Sequence, residues 1–152
     1  MSQADCGFID TPKISGANLL VFLGPTLKVD IGFDPNFKIA NPKTPPVLGI
    51  KGISALVDTG AGESCIDNLL ASQLKLPIVD RRTISGVHGS NETNMYLAQI
   101  YVPELKITIY GSFAGVDLRA GGQVHSALIG RTFLQNFTMM YVGKTGSVTI
   151  LD

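Results

Sequence analysis

Glycine and proline are spread through the chain, which favours many short strands over long helices. The 152 residues include 17 glycines and 8 prolines, which divide the sequence into short segments. In residues 26–33 (TLKVDIGF) every second residue is apolar, which places the apolar side chains on one face. This period of two is typical of a half-buried strand. Residues 138–142 and 147–151 flank the turn sequence GKTG, which is typical of a hairpin. The sequence therefore predicts an all-β fold, closed or sandwich-like, with one or two short helices.

A second hairpin and two short helices are predicted between these segments. Asp67 has the character of a helix N-cap and precedes a brief apolar run. The glycine-rich polar run 86–91 lies between residues 82–85 and 95–101, which predicts a hairpin with this run at its tip. Further strands are predicted at 47–57, 64–66, 105–110, 113–118 and 127–130, the helices at 67–74 and 131–136, and a weakly ordered tail over about the first 15 residues.

Composition limits the classes of protein to which the chain can belong. Hydrophobic residues make up 45% and charged residues 16% of the sequence, so the chain should fold as one domain with a sizeable core. The formal net charge is zero, and lysine and arginine are scattered. This gives no electrostatic case for nucleic acid or an anionic membrane as a partner.

The sequence offers no targeting segment or metal site. The longest apolar run, residues 19–23, is far too short to span a bilayer, and residues 1–5 do not begin a signal peptide. Cys6 and Cys65 are expected to be free thiols in a reducing compartment, so the expected location is cytoplasmic. His88 and His125 lack neighbours at metal-ligand spacing, and we expect no cofactor.

The residue with the clearest chemical potential is Asp58, in the sequence ALVDTGA. An apolar strand leads directly into the acid, and a threonine and a glycine follow it. This pattern predicts a carboxylate in a tight turn whose backbone donors are exposed. A given tripeptide of this kind arises by chance in roughly a few per cent of chains of this length, so it is suggestive alone. No second Asp-Thr-Gly or Asp-Ser-Gly occurs, so a partner carboxylate would have to come from another copy.

Three segments together, ALVDTGAGESCID, GVHG and ALIGRTFL, resemble the retropepsin family. These are the single-domain, homodimeric aspartic proteases of retroviruses and of their cellular and bacterial relatives, and the resemblance is stronger to the non-viral members. It covers residues 26–151. It implies a closed acid-protease-type β-barrel with a flap hairpin in residues 26–152, preceded by a tail or extension in residues 1–25.

The resemblance also implies an activity and a set of roles. Two Asp58 carboxylates, one from each chain of a homodimer, would share a proton and activate a water that hydrolyses a peptide bond. The hairpin tip would close over an extended peptide. The implied catalytic residues are Asp58, Thr59 and Gly60. The implied substrate-binding residues are Ala61, Gly62, Ile84, Gly86, Val87, His88, Gly89, Leu128 and Ile129, and Gly130 and Arg131 are implied to be structural.

The chain departs from the viral pattern at Gly62. Viral members usually carry an acid there, which contacts the substrate backbone and pairs with the arginine that matches Arg131. Here Glu63 follows instead, so we expect Arg131 to pair with Glu63, with Asp67 or across the dimer. Dimerisation through terminal strands such as residues 147–151 is a further expectation from the family.

Two other functions are compatible with parts of the sequence. The glycine at position 62 allows a non-catalytic dimeric module that binds peptides on the same fold. The sequence DTGAGES also resembles the phosphate loop of sugar kinases and actin-like ATPases. Those proteins need two large lobes, which 152 residues cannot supply, and no Walker-type motif is present.

Overall fold

The computed structural model describes residues 2–40, 44–87 and 89–152. Strands dominate these residues, and the helices are few and short, which confirms the predicted all-β class. The strands are β1 (Gln3–Asp5), β2 (Thr26–Gly32), β3 (Ile50–Val57), β4 (Cys65–Asp67), β5 (Ile78–Gly86), β6 (Gly89–Val102), β7 (Ile107–Val116), β8 (Ala127–Ile129), β9 (Thr138–Val142) and β10 (Ser147–Leu151). The helices are α1 (Gly16–Leu23), α2 (Asn68–Gln73) and α3 (Arg131–Leu134).

The larger of the two sheets has seven strands in the order β2-β3-β8-β4-β7-β6-β5. Strand β2 also pairs with β6, so six of these strands form a continuous circuit of hydrogen-bonded neighbours. Among the described residues, strand β5 pairs only with β6 and stands outside the circuit. The circuit therefore surrounds the core, and the β5–β6 hairpin projects from it.

Alternating side chains explain why β2 forms one wall of the core. Leu27, Val29 and Ile31 have no exposed surface, whereas Lys28 between them is exposed. Burying an aliphatic side chain of this size contributes about 1.5–3 kcal/mol. On the neighbouring β3, Ala55 is equally buried. The predicted strand at residues 26–33 is thus explained by burial of one face.

Strand β7 is one strand where the sequence predicts two. Gly111 and Ser112 lie at the expected break, but the ladder to β6 continues through them, with Gly111 opposite Ala98. The β5–β6 hairpin is also longer than predicted, since pairing extends from Ile78 to Gly86. Long-range pairing with β6 maintains extended backbone in both places, which local composition does not indicate.

The N-terminal residues are not the weakly ordered tail that the sequence predicts. Strand β1 pairs with β10, and Ala4 and Cys6 are buried. Helix α1 follows, with Ser15 as its N-cap and Leu20 buried beneath it. In the described part of the chain, no helix is both long enough and apolar enough to cross a membrane.

The second sheet has three strands in the order β1-β10-β9. Because β10 lies in the middle, its backbone groups are already paired on both sides. It therefore cannot add a partner's strand, contrary to the expectation for residues 147–151. Strand β9 is an edge, and among the described residues only β10 pairs with it. Three of its large apolar side chains are exposed, namely Met140, Tyr141 and Val142.

Candidate active site

Asp58 lies immediately beyond β3, where the strand runs beside β8. The two strands are parallel, with Val57 opposite Ile129. The Asp58 amide donates to the carbonyl of Ile129 at 2.9 Å, and the Val57 amide donates to the carbonyl of Pro25 at 2.8 Å. The backbone that carries the carboxylate is therefore fixed on two sides before the turn begins.

The turn after Asp58 closes on that residue. The Gly60 amide donates to Oδ1 of Asp58 at 2.9 Å, and the Ala61 amide donates to the Asp58 carbonyl at 3.2 Å. The sequence predicts exposed backbone donors here, but both amides are engaged within the turn. Two donors that a phosphate loop would offer to a nucleotide are thus already used.

A second set of hydrogen bonds ties the turn to the start of α3. The Arg131 amide donates to the Ala61 carbonyl, and the Thr132 amide donates to the Gly62 carbonyl, each at 2.9 Å. Gly130 lies so close to the turn that a Cβ there would meet the Glu63 carbonyl oxygen at 2.6 Å. Only glycine fits this crossing without displacing backbone.

Arg131 pairs with neither Glu63 nor Asp67, contrary to two of the partners expected from sequence. Its Nη1 donates to the carbonyl of Thr59 at 2.7 Å. Within the described residues it forms no salt bridge. The guanidinium therefore fixes the outer side of the Asp58 turn through a backbone oxygen, which a sequence motif does not indicate.

Two buried polar residues follow the turn in the chain: Ser64 holds Gly130 beside the turn, whereas Asp67 anchors α2. Ser64 is 6% exposed, and its Oγ accepts from the Gly130 amide at 3.0 Å. Asp67 has no exposed surface and caps α2, as predicted, by accepting from the Leu70 amide. Its other oxygen accepts from the amides of Leu118 and Arg119 at 3.0 and 3.1 Å. This carboxylate joins α2 to the segment after β7, a long-range role that the capping pattern does not predict.

A cavity of about 360 Å³ opens on one side of Asp58. Its walls include Leu56 and Leu128, and its polar groups include Asp117 and His125. Leu128 was predicted to contact substrate, and it borders this cavity. Ile129 was assigned the same role, but it is completely buried and packs in the core, so we assign it to support of the turn instead.

A second cavity, of about 510 Å³, also borders Asp58. It is lined by Pro25, Thr59, Met139 and Tyr141 as well as by Asp58 itself. Asp58 therefore lines two open cavities. Residues of the β8 region line the 360 Å³ cavity, and residues of the edge strand β9 line the 510 Å³ cavity.

The hairpin tip lies over a separate, smaller cavity of about 270 Å³. Ile84, Val87 and Gly89 line it from the hairpin, and Asn68 and Asp117 line it from the body. Gly86 pairs with Gly89 at the end of the ladder, whereas His88 lies outside the described residues. Asp117 borders both this cavity and the 360 Å³ cavity at Asp58.

His125 is a buried polar residue at the Asp58 cavity, with 3% of its surface exposed. Its Nε2 lies 2.9 Å from the hydroxyl of Thr26, and that hydroxyl also donates to the Gly24 carbonyl at 3.0 Å. The ring therefore donates through Nε2, which leaves Nδ1 as an acceptor, buried and without a partner among the described residues. Burial, and secondarily the charge of Lys28, lower the pKa of His125.

Neither cysteine is placed to act as a nucleophile at neutral pH. Burial raises the pKa of Cys65 to about 11, helped by the negative charges of Glu63 and Asp58. Burial likewise raises the pKa of Cys6 to about 12. Over the described residues, no three His, Cys, Asp or Glu side chains come together in a group that could hold a metal ion.

Comparison with known proteins gives likenesses in structure only. No family model matches the sequence. No curated protein matches it either. Among solved structures, the chain is similar to the EIAV protease complexed with the inhibitor HBY-793, with 22% identity, 74% of this chain and 86% of that chain covered, and a TM-score of 0.47.

It is also similar to a retropepsin-like aspartic protease from Rickettsia conorii. The identity is 15%, 97% of this chain and 90% of that chain are covered, and the TM-score is 0.49. Both TM-scores lie below 0.5, so we base the proposed function on the geometry of the Asp58 turn.

Proposed function

We propose that residues 26–152 form an aspartic endopeptidase domain that is active as a homodimer and hydrolyses peptide bonds with two Asp58 carboxylates, one from each chain. The observation that supports this most directly is the fixation of the Asp58 turn. Backbone hydrogen bonds hold the turn from β8 and from α3, and Arg131 holds it from outside. A carboxylate on such a rigid support, bordering two open cavities, suits a group that must be positioned before reaction.

The proposed reaction needs two Asp58 carboxylates, and each chain supplies one. Two carboxylates close together cannot both carry charge at low cost, so the pair holds one proton between them. The ionised carboxylate takes a proton from a bound water, whose oxygen forms a bond to the peptide carbonyl carbon. The protonated carboxylate hydrogen-bonds the carbonyl oxygen. The C–N bond then breaks as the nitrogen receives a proton, and a carboxylic acid and an amine leave.

The free edge of β9 supports the homodimer and suggests where it forms. An exposed edge strand with large apolar side chains is a template for pairing with another chain. Met140 and Tyr141 are 55% and 54% exposed, and Tyr141 also borders the cavity beside Asp58 and Thr59. A second copy that pairs with β9 would therefore approach the face on which Asp58 lies.

The remaining roles carry over from the resemblance as parts of this proposal. Thr59 would bond to the turn of the second copy, and the Gly60 carbonyl would accept from the peptide backbone. The β5–β6 hairpin would act as the flap, with Gly86, Val87, His88 and Gly89 at its tip. Ala61 and Gly62 would border the peptide, although their carbonyls are occupied by amides of α3.

Gly62 favours a second candidate, a dimeric module that binds peptides without cleaving them. No acid stands at this position to grip the substrate backbone, and the nearest atom to a Cβ built there is Nη2 of Arg131 at 3.7 Å. The position is open rather than filled by a substitute side chain. Binding without cleavage is the distinguishing property of this candidate.

The test is hydrolysis of a peptide library by the full chain and by Asp58→Asn from acidic to neutral pH, because the two carboxyl groups of such a pair titrate separately. We expect cleavage that Asp58→Asn abolishes, and a control variant, Asp152→Asn, that cleaves like the unmodified chain. Cleavage that persists at full rate in Asp58→Asn would contradict the proposal. Binding of peptides with no cleavage by the unmodified chain would favour the second candidate.

A further inference from the structure

We propose that the cavity between Asp58 and Asp117 accepts a lysine or arginine side chain of the peptide, and that Asp117 selects it. This inference rests on the proposed function and extends it to the class of substrate. It is carried by the position of Asp117, by the polar groups of the cavity and by the apolar walls that lead to them.

Asp117 is held in place but keeps a free oxygen. It directly follows β7, and its Oδ1 accepts from Nδ2 of Asn68 at 2.8 Å. The Tyr96 hydroxyl donates to Oδ1 of Asn68 at 3.1 Å, which fixes the orientation of that amide. Among the described residues no group donates to Oδ2 of Asp117 and no lysine or arginine pairs with this carboxylate. One oxygen is thus used for orientation, and the other is available to a ligand.

Both cavities that Asp117 borders carry negative charge. Asp58 contributes to one and Glu92 to the other, and no described lining residue of either cavity is a lysine or arginine. Glu92 lies 3.6 Å from Arg81, so its charge is partly compensated, but Asp58 and Asp117 have no such partner in the described part of the chain. The potential between Asp58 and Asp117 therefore favours a cation.

His125 adds an imidazole ring to the lining of this cavity. Its Nδ1 is an acceptor with no partner among the described residues, although the side chain is 97% buried. Because this atom has almost no accessible surface, a ligand in the cavity would meet the carboxylates of Asp58 and Asp117 rather than Nδ1. Carboxylates and a neutral imidazole nitrogen are all acceptors, whereas ammonium and guanidinium groups are donors only.

The walls of the cavity suit the stem of a long basic side chain. Leu56, Leu118 and Leu128 line the cavity together with the acidic groups. Lysine and arginine bury an aliphatic stem against apolar surface while the charged end reaches polar groups. A two-fold dimer would place one such cavity on each side of the scissile bond, so we expect the preference on both sides.

The experiment compares peptides that carry lysine with matched peptides that carry norleucine, which has a similar stem and no charge. Cleavage is measured with the unmodified chain, with Asp117→Asn and with the control Asp152→Asn. The asparagine can still accept from Asn68, so Asp117→Asn should fold. We expect the lysine peptide to be preferred about 10- to 100-fold in kcat/KM, the range for a hydrogen bond to a charged group. Asp117→Asn should bring this ratio close to one, and Asp152→Asn should not change it.

Binding of the same peptides to Asp58→Asn, measured by calorimetry, separates this inference from the proposed function. Tighter binding of the lysine peptide that depends on Asp117 supports a basic side-chain site, even if no cleavage occurs and the protease proposal fails. Equal cleavage and equal binding of the two peptides would overturn the inference. A preference for lysine that Asp117→Asn leaves intact would also overturn it. Neither result would contradict cleavage that depends on Asp58.

Discussion

The Asp58 turn and the β5–β6 hairpin belong to the same candidate site but are stabilised in opposite ways. The turn is held by backbone hydrogen bonds from two other elements, and the buried Ser64 hydroxyl holds Gly130 beside it. The described side chains of β5 beyond Ile78 are all exposed, and the salt bridges of the hairpin, Arg81–Glu92 and Arg82–Asp80, each span 3.6 Å between exposed groups. Exposed pairs of this kind contribute little to stability.

This difference is what we expect if a rigid reactive group lies beneath a flap that opens. Regions with few buried contacts open at low free energy, whereas interlocked core segments open only with the whole fold. Substitutions at matched positions in the two regions should therefore have very different effects on the free energy of unfolding.

The largest expected effect is that of Gly130→Ala. The new Cβ would lie 2.6 Å from the Glu63 carbonyl oxygen and 3.0 Å from that of Ala61, so backbone must shift. We expect a loss of about 3 kcal/mol in the free energy of unfolding, measured by urea denaturation.

Gly89→Ala in the hairpin is the matched control for that prediction. A Cβ there meets nothing within 4 Å, so the cost comes only from its φ of +113°. We expect a loss of about 1 kcal/mol. Equal losses at Gly130 and Gly89 would contradict the proposed difference between the two regions.

Ser64→Ala should have the next largest effect. It removes the acceptor of the buried Gly130 amide, which costs about 1–3 kcal/mol. Ser85→Ala in the hairpin removes an exposed hydroxyl pair with Ser90 and should cost less than about 0.5 kcal/mol. Denaturation of both variants gives the comparison, and a Ser85 effect as large as the Ser64 effect would be evidence against it.

His125 should make the free energy of unfolding sensitive to acid. Its pKa is lowered in the folded state by burial, so folding favours the neutral ring. The unfolded chain then binds the proton more readily, and this contribution to stability is complete above the ordinary histidine pKa of 6.5 and is lost as pH falls below it. Lys28 on β2 is the charged group that acts on the ring, and Asp58 and Asp117 line the same cavity as the ring.

When the pH falls from 7.5 to 5, a range in which histidine titrates, the free energy of unfolding should decrease less in His125→Gln than in the unmodified chain. Denaturation at a series of pH values measures this. Identical pH dependence in the two proteins would show that His125 does not contribute.

The smallest expected effect is that of Arg81→Gln in the hairpin. The pair with Glu92 is 64% and 70% exposed at its two side chains. Its loss should change the free energy of unfolding by less than about 0.5 kcal/mol, and added salt should reduce that change further. A change above 1 kcal/mol would mean that the hairpin is more firmly attached than its exposure suggests.

The parts of the fold that sequence predicted are those specified by neighbours in the chain. The alternation of β2, the N-cap at Asp67 and the β9–β10 hairpin are local patterns, and the structure has each of them. Strand β1 was missed because its partner, β10, lies at the other end of the chain. The false break in β7 has the same origin, since β6 supplies the hydrogen bonds that keep Gly111 in the strand.

The candidate site follows the same rule. The sequence indicated Asp58 and the glycine at position 130, because both belong to short contiguous motifs. It gave Arg131 acidic partners, whereas the guanidinium donates to the Thr59 carbonyl, an interaction between a side chain and backbone that residue types do not encode. Ser64, Asp117 and His125 were missed because their importance arises from burial and from proximity across the fold.

The most direct test of the central claim, that each chain holds half of one active site, is inhibition by an inactive copy. The unmodified chain is refolded together with a ninefold excess of Asp58→Asn, and peptide cleavage per unmodified chain is measured. In the control, the same excess of Asp152→Asn, which is itself active, should raise this value about tenfold. If both Asp58 residues are required, random pairing in a two-fold dimer should reduce cleavage to about a tenth. Cleavage that is unchanged by excess Asp58→Asn would contradict the two-chain site.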